Sequence, residues 1–131
     1  MTSVMYAVLT AFIIVLLSLN VIRIRRKNRI SIGDGSNSEL RIAIAAQSNA
    51  IEYIPMAVLL LFALEYNHAN LVLVHALGLL LVIGRIVHAR GLLSGQLRIR
   101  VLGMQFTIFS IIGLSIANLV YLPYEKLIAS S

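Results

Sequence analysis

Four long apolar runs separated by short polar segments constrain this chain more than anything else in it. Each is near the roughly 20 residues that a helix needs to cross the ~30 Å hydrocarbon core of a bilayer. The spans are read at 4–26, 38–66, 71–89 and 99–122. Links this short join neighbours that run antiparallel, so the reading is an all-α membrane protein. It forms an up-down bundle of four transmembrane helices, in one domain over 1–131.

The punctuation supports the spans. Arg23–Arg29 stops the first, and a turn at Gly33-Asp34-Gly35 follows. Ser36 and Glu39 have the spacing of a capping box that opens the second helix. That helix exceeds what the bilayer core needs, so its start should project from the membrane. Asn67–Asn70 is a polar loop, and the third span ends near Arg85 and His88. A loop with Gly91, Ser94 and Gly95 leads to Arg98 and Arg100, and Pro123 closes the fourth span.

Only 12% of the residues are charged and 60% are hydrophobic. A soluble domain carries about 25% charged residues. Mean hydropathy is +0.94. The net charge of +6 would suit nucleic acid, but its placement does not. Ten of the 11 Lys and Arg lie in Arg23–Arg41 or Arg85–Arg100, beside helix ends. Such clustering sets topology: both basic loops should be cytoplasmic, with the N- and C-termini and the Asn67–Asn70 loop outside. The first apolar run lacks a positive leader and is followed by its basic cluster, the pattern of an uncleaved first span. The cysteine count of 0 excludes disulfides, thiolate metal sites and a cysteine nucleophile. No metal constellation is read, because His68, His75 and His88 lack ligand spacing.

Within the second span, Asn49-Ala50-Ile51-Glu52-Tyr53-Ile54-Pro55 carries a carboxylate in an apolar context. Ionisable groups at membrane depth are expensive and face a protein interior, a partner or a polar ligand. Arg41, Ala45, Ser48 and Glu52 share a narrow helical face, flanked by Asn49 and Tyr53, with Gln47 roughly opposite. Intramembrane Ser and Gln often only bond neighbouring helices. Glu52 needs a cation or several donors, and Arg41 is about three turns away. Its partner is another helix's arginine, a ligand ammonium or a proton. Two polar faces on one helix point to a neighbouring subunit, so self-association is expected. Arg85 and His88, three apart, share a face near the end of the third span. His75 reads as an interhelical hydrogen-bonding residue.

Asn49-x-x-Glu52-Tyr53-x-Pro55 on a second spanning helix resembles the signature of the MAPEG family, membrane-associated proteins in eicosanoid and glutathione metabolism. Arg25-Arg26-x-x-Arg29, Gly33-Asp34-Gly35, Gly84-Arg85-x-x-His88 and Arg100-x-x-Gly103-Met104 fall in the family's order. With Ala117-Asn118-Leu119-x-Tyr121-x-Pro123, the likeness is strongest to a subgroup of short bacterial inner-membrane members. The resemblance implies a homotrimer of four-helix subunits in a bacterial inner membrane, with glutathione as cosubstrate in a cleft between subunits.

In that arrangement Glu52 would pair with the glutathione ammonium, and Asn49 and Tyr53 would hydrogen-bond the peptide. Arg25, Arg26 or Arg29 would take a carboxylate, and Gln47 would reach in from the adjacent subunit. Arg85 and His88 are also placed at the ligand. Arg100, or else Arg98, would stabilise the thiolate, and a lipophilic cosubstrate would enter from lipid. Ala45 stands where catalytic members carry an arginine four residues before the Asn, and Arg41 lies one turn earlier on nearly the same face. Two functions follow: a glutathione transferase or peroxidase acting on a lipophilic electrophile or hydroperoxide, or a non-catalytic protein of the same fold that binds another small anion or a lipid.

Overall fold

A computed structural model describes residues 1–129. The chain forms α1 (Thr2–Asn28), α2 (Ser38–Tyr66), α3 (Leu71–Ser94), α4 (Leu97–Tyr121) and a short α5 (Tyr124–Ala129). The first four are long and apolar enough to cross a membrane. They alternate in direction. Glu65 at the end of α2 reaches the start of α1, and the Asn70 N–H donates to the Tyr121 hydroxyl at 3.4 Å.

α2 and α3 occupy the centre, each touching the other three long helices, while α1 and α4 do not meet. The distribution of side chains suits lipid. Ser3, Tyr6, Thr10, Arg85, His88, Thr107 and Ser110 are buried, whereas Phe12, Leu16, Phe109 and Val120 are exposed. Helices in lipid gain nothing by hiding apolar surface from one another, so they associate through close packing and polar contacts. Those contacts are present. Tyr6 Oη and His75 Nδ1 are 2.7 Å apart, Ser110 donates to the Leu77 carbonyl at 3.1 Å and Asn118 to the Leu60 carbonyl at 2.9 Å.

α3 and α4 approach until backbones touch. A Cβ on Gly91 would collide with the backbone of Arg100, and one on Gly103 with the backbone of His88. Gly91 therefore lies inside α3 rather than in a loop, and the helix runs on to Ser94. The expected loop shrinks to Gly95 and Gln96. Gly95, at φ +73°, ends α3, with the Gln96 N–H donating to the Gly91 carbonyl at 2.9 Å.

The α1–α2 turn corrects one expectation. The cap of α2 is Asn37, whose side chain accepts from the Leu40 N–H at 2.9 Å, and not Ser36. Ser36 sits at φ +59° because the Asp34 carboxylate captures its N–H at 3.0 Å, leaving Asn37 extended for capping. Glu39 turns to Lys27 at 4.0 Å. Asp34 also pairs with Arg41 Nε at 3.0 Å. The Ser36 N–H and then the Arg41 guanidinium hold its carboxyl below the usual 3.8. A depressed acid stabilises the fold above its unfolded pKa, and that help is lost as pH falls through the lower folded value. The Asp34 carboxyl, followed by its carbon chemical shift, should titrate below 3.8 and move part of the way back in Arg41→Gln. An unmoved titration would remove Arg41 from this role.

The end of the bundle that holds the N-terminus has its own tie. Met1 offers α1 no side-chain cap. Glu65 replaces it, accepting from Thr2 N at 2.6 Å, Ser3 N at 3.0 Å and Ser3 Oγ at 2.6 Å. A carboxylate suits the positive end of a helix. Losing such a cap costs about 1 kcal/mol. Glu65→Ala should therefore lower stability by about that much and speed hydrogen exchange in the first turn of α1. Unchanged exchange there would argue that the cap contributes nothing. Beyond Leu122-Pro123, where the sequence reading ended, the chain resumes as α5.

Candidate functional site

Asn49 and Tyr53 are one turn apart on α2 and face α3, where Arg85 projects between them. Its Nη2 donates to Asn49 Oδ1 at 2.6 Å, and its guanidinium carbon lies 6.0 Å from the Tyr53 ring centre. Nη1 donates to Thr107 Oγ1 at 3.5 Å, while Nη2 lies 3.5 Å from His88 Nδ1. Facing a cationic donor, Nδ1 serves as acceptor, which leaves the His88 proton on Nε2. Thr107 spends its own hydrogen on the Gly103 carbonyl at 2.9 Å, freeing its lone pairs for Arg85.

Arg85 is only 1% exposed, its Nε has no partner, and among the described residues no carboxylate pairs with it. A buried cation without a counter-charge is costly. Hydrogen bonds to Asn49 and Thr107 satisfy donors without cancelling charge.

This cluster forms the wall of a cleft of about 470 Å³ between α2, α3 and α4. Polar Asn49, Tyr53, His88, Arg100 and Gln105 line it together with apolar Leu97, Val101, Met104 and Ile108. The glycine seam fixes the two sides, since Gly91 rests on the Arg100 backbone and Gly103 on that of His88. The cleft mixes a cation and hydrogen-bonding groups with apolar side chains, which suits a ligand that is both anionic and partly apolar.

Of the residues expected at a ligand, Asn49, Tyr53, Arg85, His88 and Arg100 converge here. Glu52 is exposed on the adjoining face of α2, with no partner among the described residues. Arg98 is exposed and lies outside the cleft lining. The structure gives two others different partners. Gln47 donates to Ser18 Oγ of its own α1 at 2.9 Å, and Arg41 is engaged by Asp34. Arg25, Arg26 and Arg29 line a separate depression on α1, which does not reach α4. Thr107 and Gln105 were not anticipated, although Arg100, Gly103, Thr107 and Ser110 form a small and polar stripe at helical spacing that marks this face.

Comparison with known proteins agrees with this architecture. The profile of the MAPEG family matches residues 3–120. The chain is 40% identical over 125 residues to inner membrane protein YecN of Escherichia coli K12, covering 95% of each chain. The same values hold for inner membrane protein YecN of Escherichia coli O6:H1.

Proposed function

The chain belongs to the MAPEG family, and on that premise we propose that it is an inner-membrane glutathione-binding protein of the transferase or peroxidase kind. One observation carries the reading. Arg85 is a buried, uncompensated guanidinium with a free Nε behind a cleft that also presents Arg100 and His88. The positive field of Arg85 behind the cleft and the Arg100 and His88 groups within it favour an anion, and the apolar lining favours a lipophilic partner.

Glutathione supplies a thiol nucleophile and two carboxylates. Arg100 stabilises the thiolate, because a nearby cation lowers a thiol pKa from its usual value of about 8.5. The Asn49 amide donates to the peptide, its oxygen being held by Arg85, and Tyr53 orients alongside it. Glu52, exposed beside them, takes the ammonium. Leu97, Val101, Met104 and Ile108 exclude water from the reacting pair.

A saturable rise in thiolate absorbance on titrating the purified protein with glutathione is the expected result. A second reading rests on Ala45 and on the commitment of Arg41 to Asp34, which leaves no arginine where catalytic relatives carry one. In that case the cleft holds another small anion or a lipid without catalysis. No absorbance change, together with a thermal shift from such an anion, would select it.

The exposed Ser48 and Glu52 support self-association, since a carboxylate facing lipid is expensive, and the trimer is what the family resemblance implies. A monomeric mass by light scattering, after subtracting detergent, would defeat this. The basic loops face the cytoplasm. In a chain with 0 cysteines, a single Cys at Ile32 should label from that side and one at Tyr66 from outside. Labelling from the reverse sides would overturn the orientation.

A further inference from the structure

α5 takes no part in the cleft and stands apart from the glutathione reading. It has 6 residues, and a helix that short does not hold its shape alone in water. Its backbone packs against none of the four long helices. What sets its place is the corner before it. Pro123 cannot continue α4. The Tyr124 N–H donates to the Leu122 carbonyl at 2.9 Å. The Tyr124 hydroxyl donates back to the Leu119 carbonyl in the last turn of α4, one of the acceptors that a helix end leaves open.

That corner gives α5 two faces with different surroundings. Tyr124, Leu127 and Ile128 share one side at i, i+3 and i+4, and all are exposed. Because the Tyr124 ring reaches back to Leu119, this side turns towards the lipid-facing surface of α4, where Leu119 and Val120 are exposed. Away from it, Lys126 lines a recess of about 390 Å³ with Met1, Glu65, Tyr66, Asn67 and His68 at the end of the bundle. Depth follows from α4. Its 25 residues span about 37 Å at 1.5 Å per residue, more than the ~30 Å hydrocarbon core. α5 therefore begins among the lipid headgroups, a level that tyrosine favours, and Tyr66 and Tyr121 end their helices there too.

We propose that α5 is a membrane-surface anchor, lying in the headgroup layer of the leaflet at that end of the bundle. Tyr124, Leu127 and Ile128 rest on the upper acyl chains, while Glu125 and Lys126 stay in water and at the recess. A helix in the interface plane is held by buried apolar area and by charge. In α5 Glu125 and Lys126 cancel, so the anchor takes neutral and anionic lipids alike. The size of the face argues against a second copy of the chain as its cover. Its side chains occupy about 9 Å of helix, far short of the roughly 800 Å² per partner in a stable protein interface.

The test uses the full chain in phospholipid nanodiscs. The sequence holds no tryptophan, so Ile128→Trp and Glu125→Trp each place a single fluorophore on a known face of α5. Ile128→Trp should emit at shorter wavelength, be quenched by phosphatidylcholine brominated high on its acyl chains, and be shielded from acrylamide in the water. Glu125→Trp should show the reverse. The Ile128→Trp signal should be the same in phosphatidylcholine alone and with phosphatidylglycerol added. Tryptophan itself favours interfaces, so Leu127→Asp added to Ile128→Trp should release the segment and restore quenching by acrylamide. Equal access of acrylamide to both faces would overturn the proposal, as would an Ile128→Trp signal that Leu127→Asp leaves unchanged. Shielding of Ile128→Trp from both quenchers would overturn it in favour of a protein partner, and a need for phosphatidylglycerol in favour of a charged headgroup contact.

Discussion

Arg100→Ala should lower turnover of glutathione with a reactive aryl halide about a hundredfold, the loss that follows removal of one preorganised stabilising group. Thiolate absorbance at neutral pH should vanish with it and return as pH rises past about 8.5, where a free thiol ionises without help. The fold should be untouched. Arg100 is exposed, and its contact with Gly91 is made by backbone atoms that alanine retains. Arg100→Lys keeps the charge and should recover part of the activity, whereas Arg98→Ala, outside the cleft lining, should behave as the parent protein. Unchanged turnover in Arg100→Ala would strip this residue of its assigned role. Equal losses in Arg98→Ala and Arg100→Ala would point to a diffuse field in place of a directed contact.

The largest structural effect should come from Gly103→Leu. A side chain there meets the backbone of His88 and the Gly84 carbonyl, and main-chain atoms have no rotamer to yield. α3 and α4 must separate, at a cost of about 3 kcal/mol or more. His88 would recede from Arg100 at the same time, so any surviving folded protein should lose its glutathione response. Gly113→Ala is the informative contrast. Its Cβ meets the Leu77 Cδ2 atom at 2.8 Å, the far end of a flexible side chain that can swing aside. Its cost should stay below about 1.5 kcal/mol. Heat denaturation in detergent measures both. A Gly103→Leu protein that melts like its parent would show that the seam tolerates a wider gap than these contacts allow.

Much of the architecture is legible in the sequence because lipid makes simple demands. Long apolar runs and basic stops locate four helices, and helical spacing alone puts Asn49 beside Tyr53 and Arg85 beside His88. The failures share one physical origin. Glycine reads as a breaker in a chain met in one dimension, yet Gly91 continues α3 because the partner backbone needs its missing side chain. Ser36 has the right spacing for a cap, but Asp34 claims its amide first. Gln47 and Arg41 have partners within the chain, Ser18 and Asp34, that no local pattern names. Glu65 and Ser3 are 62 positions apart, so no local pattern announces their contact. Polarity can be read from a sequence, but the choice of partner is made by tertiary structure.

The seam between α3 and α4 has a consequence for how such a protein diversifies. Where backbone rests on backbone, spacing works as a fixed gauge, with no side chain to lengthen or trim. The span from His88 to Arg100 is set by that gauge. Leu97, Val101, Met104 and Ile108 stand on the cleft side of the same helix and bear no part of it. Exchanges among them reshape the cleft lining and leave His88 and Arg100 in register, so a lineage can alter what the cleft admits without moving the groups held by the seam.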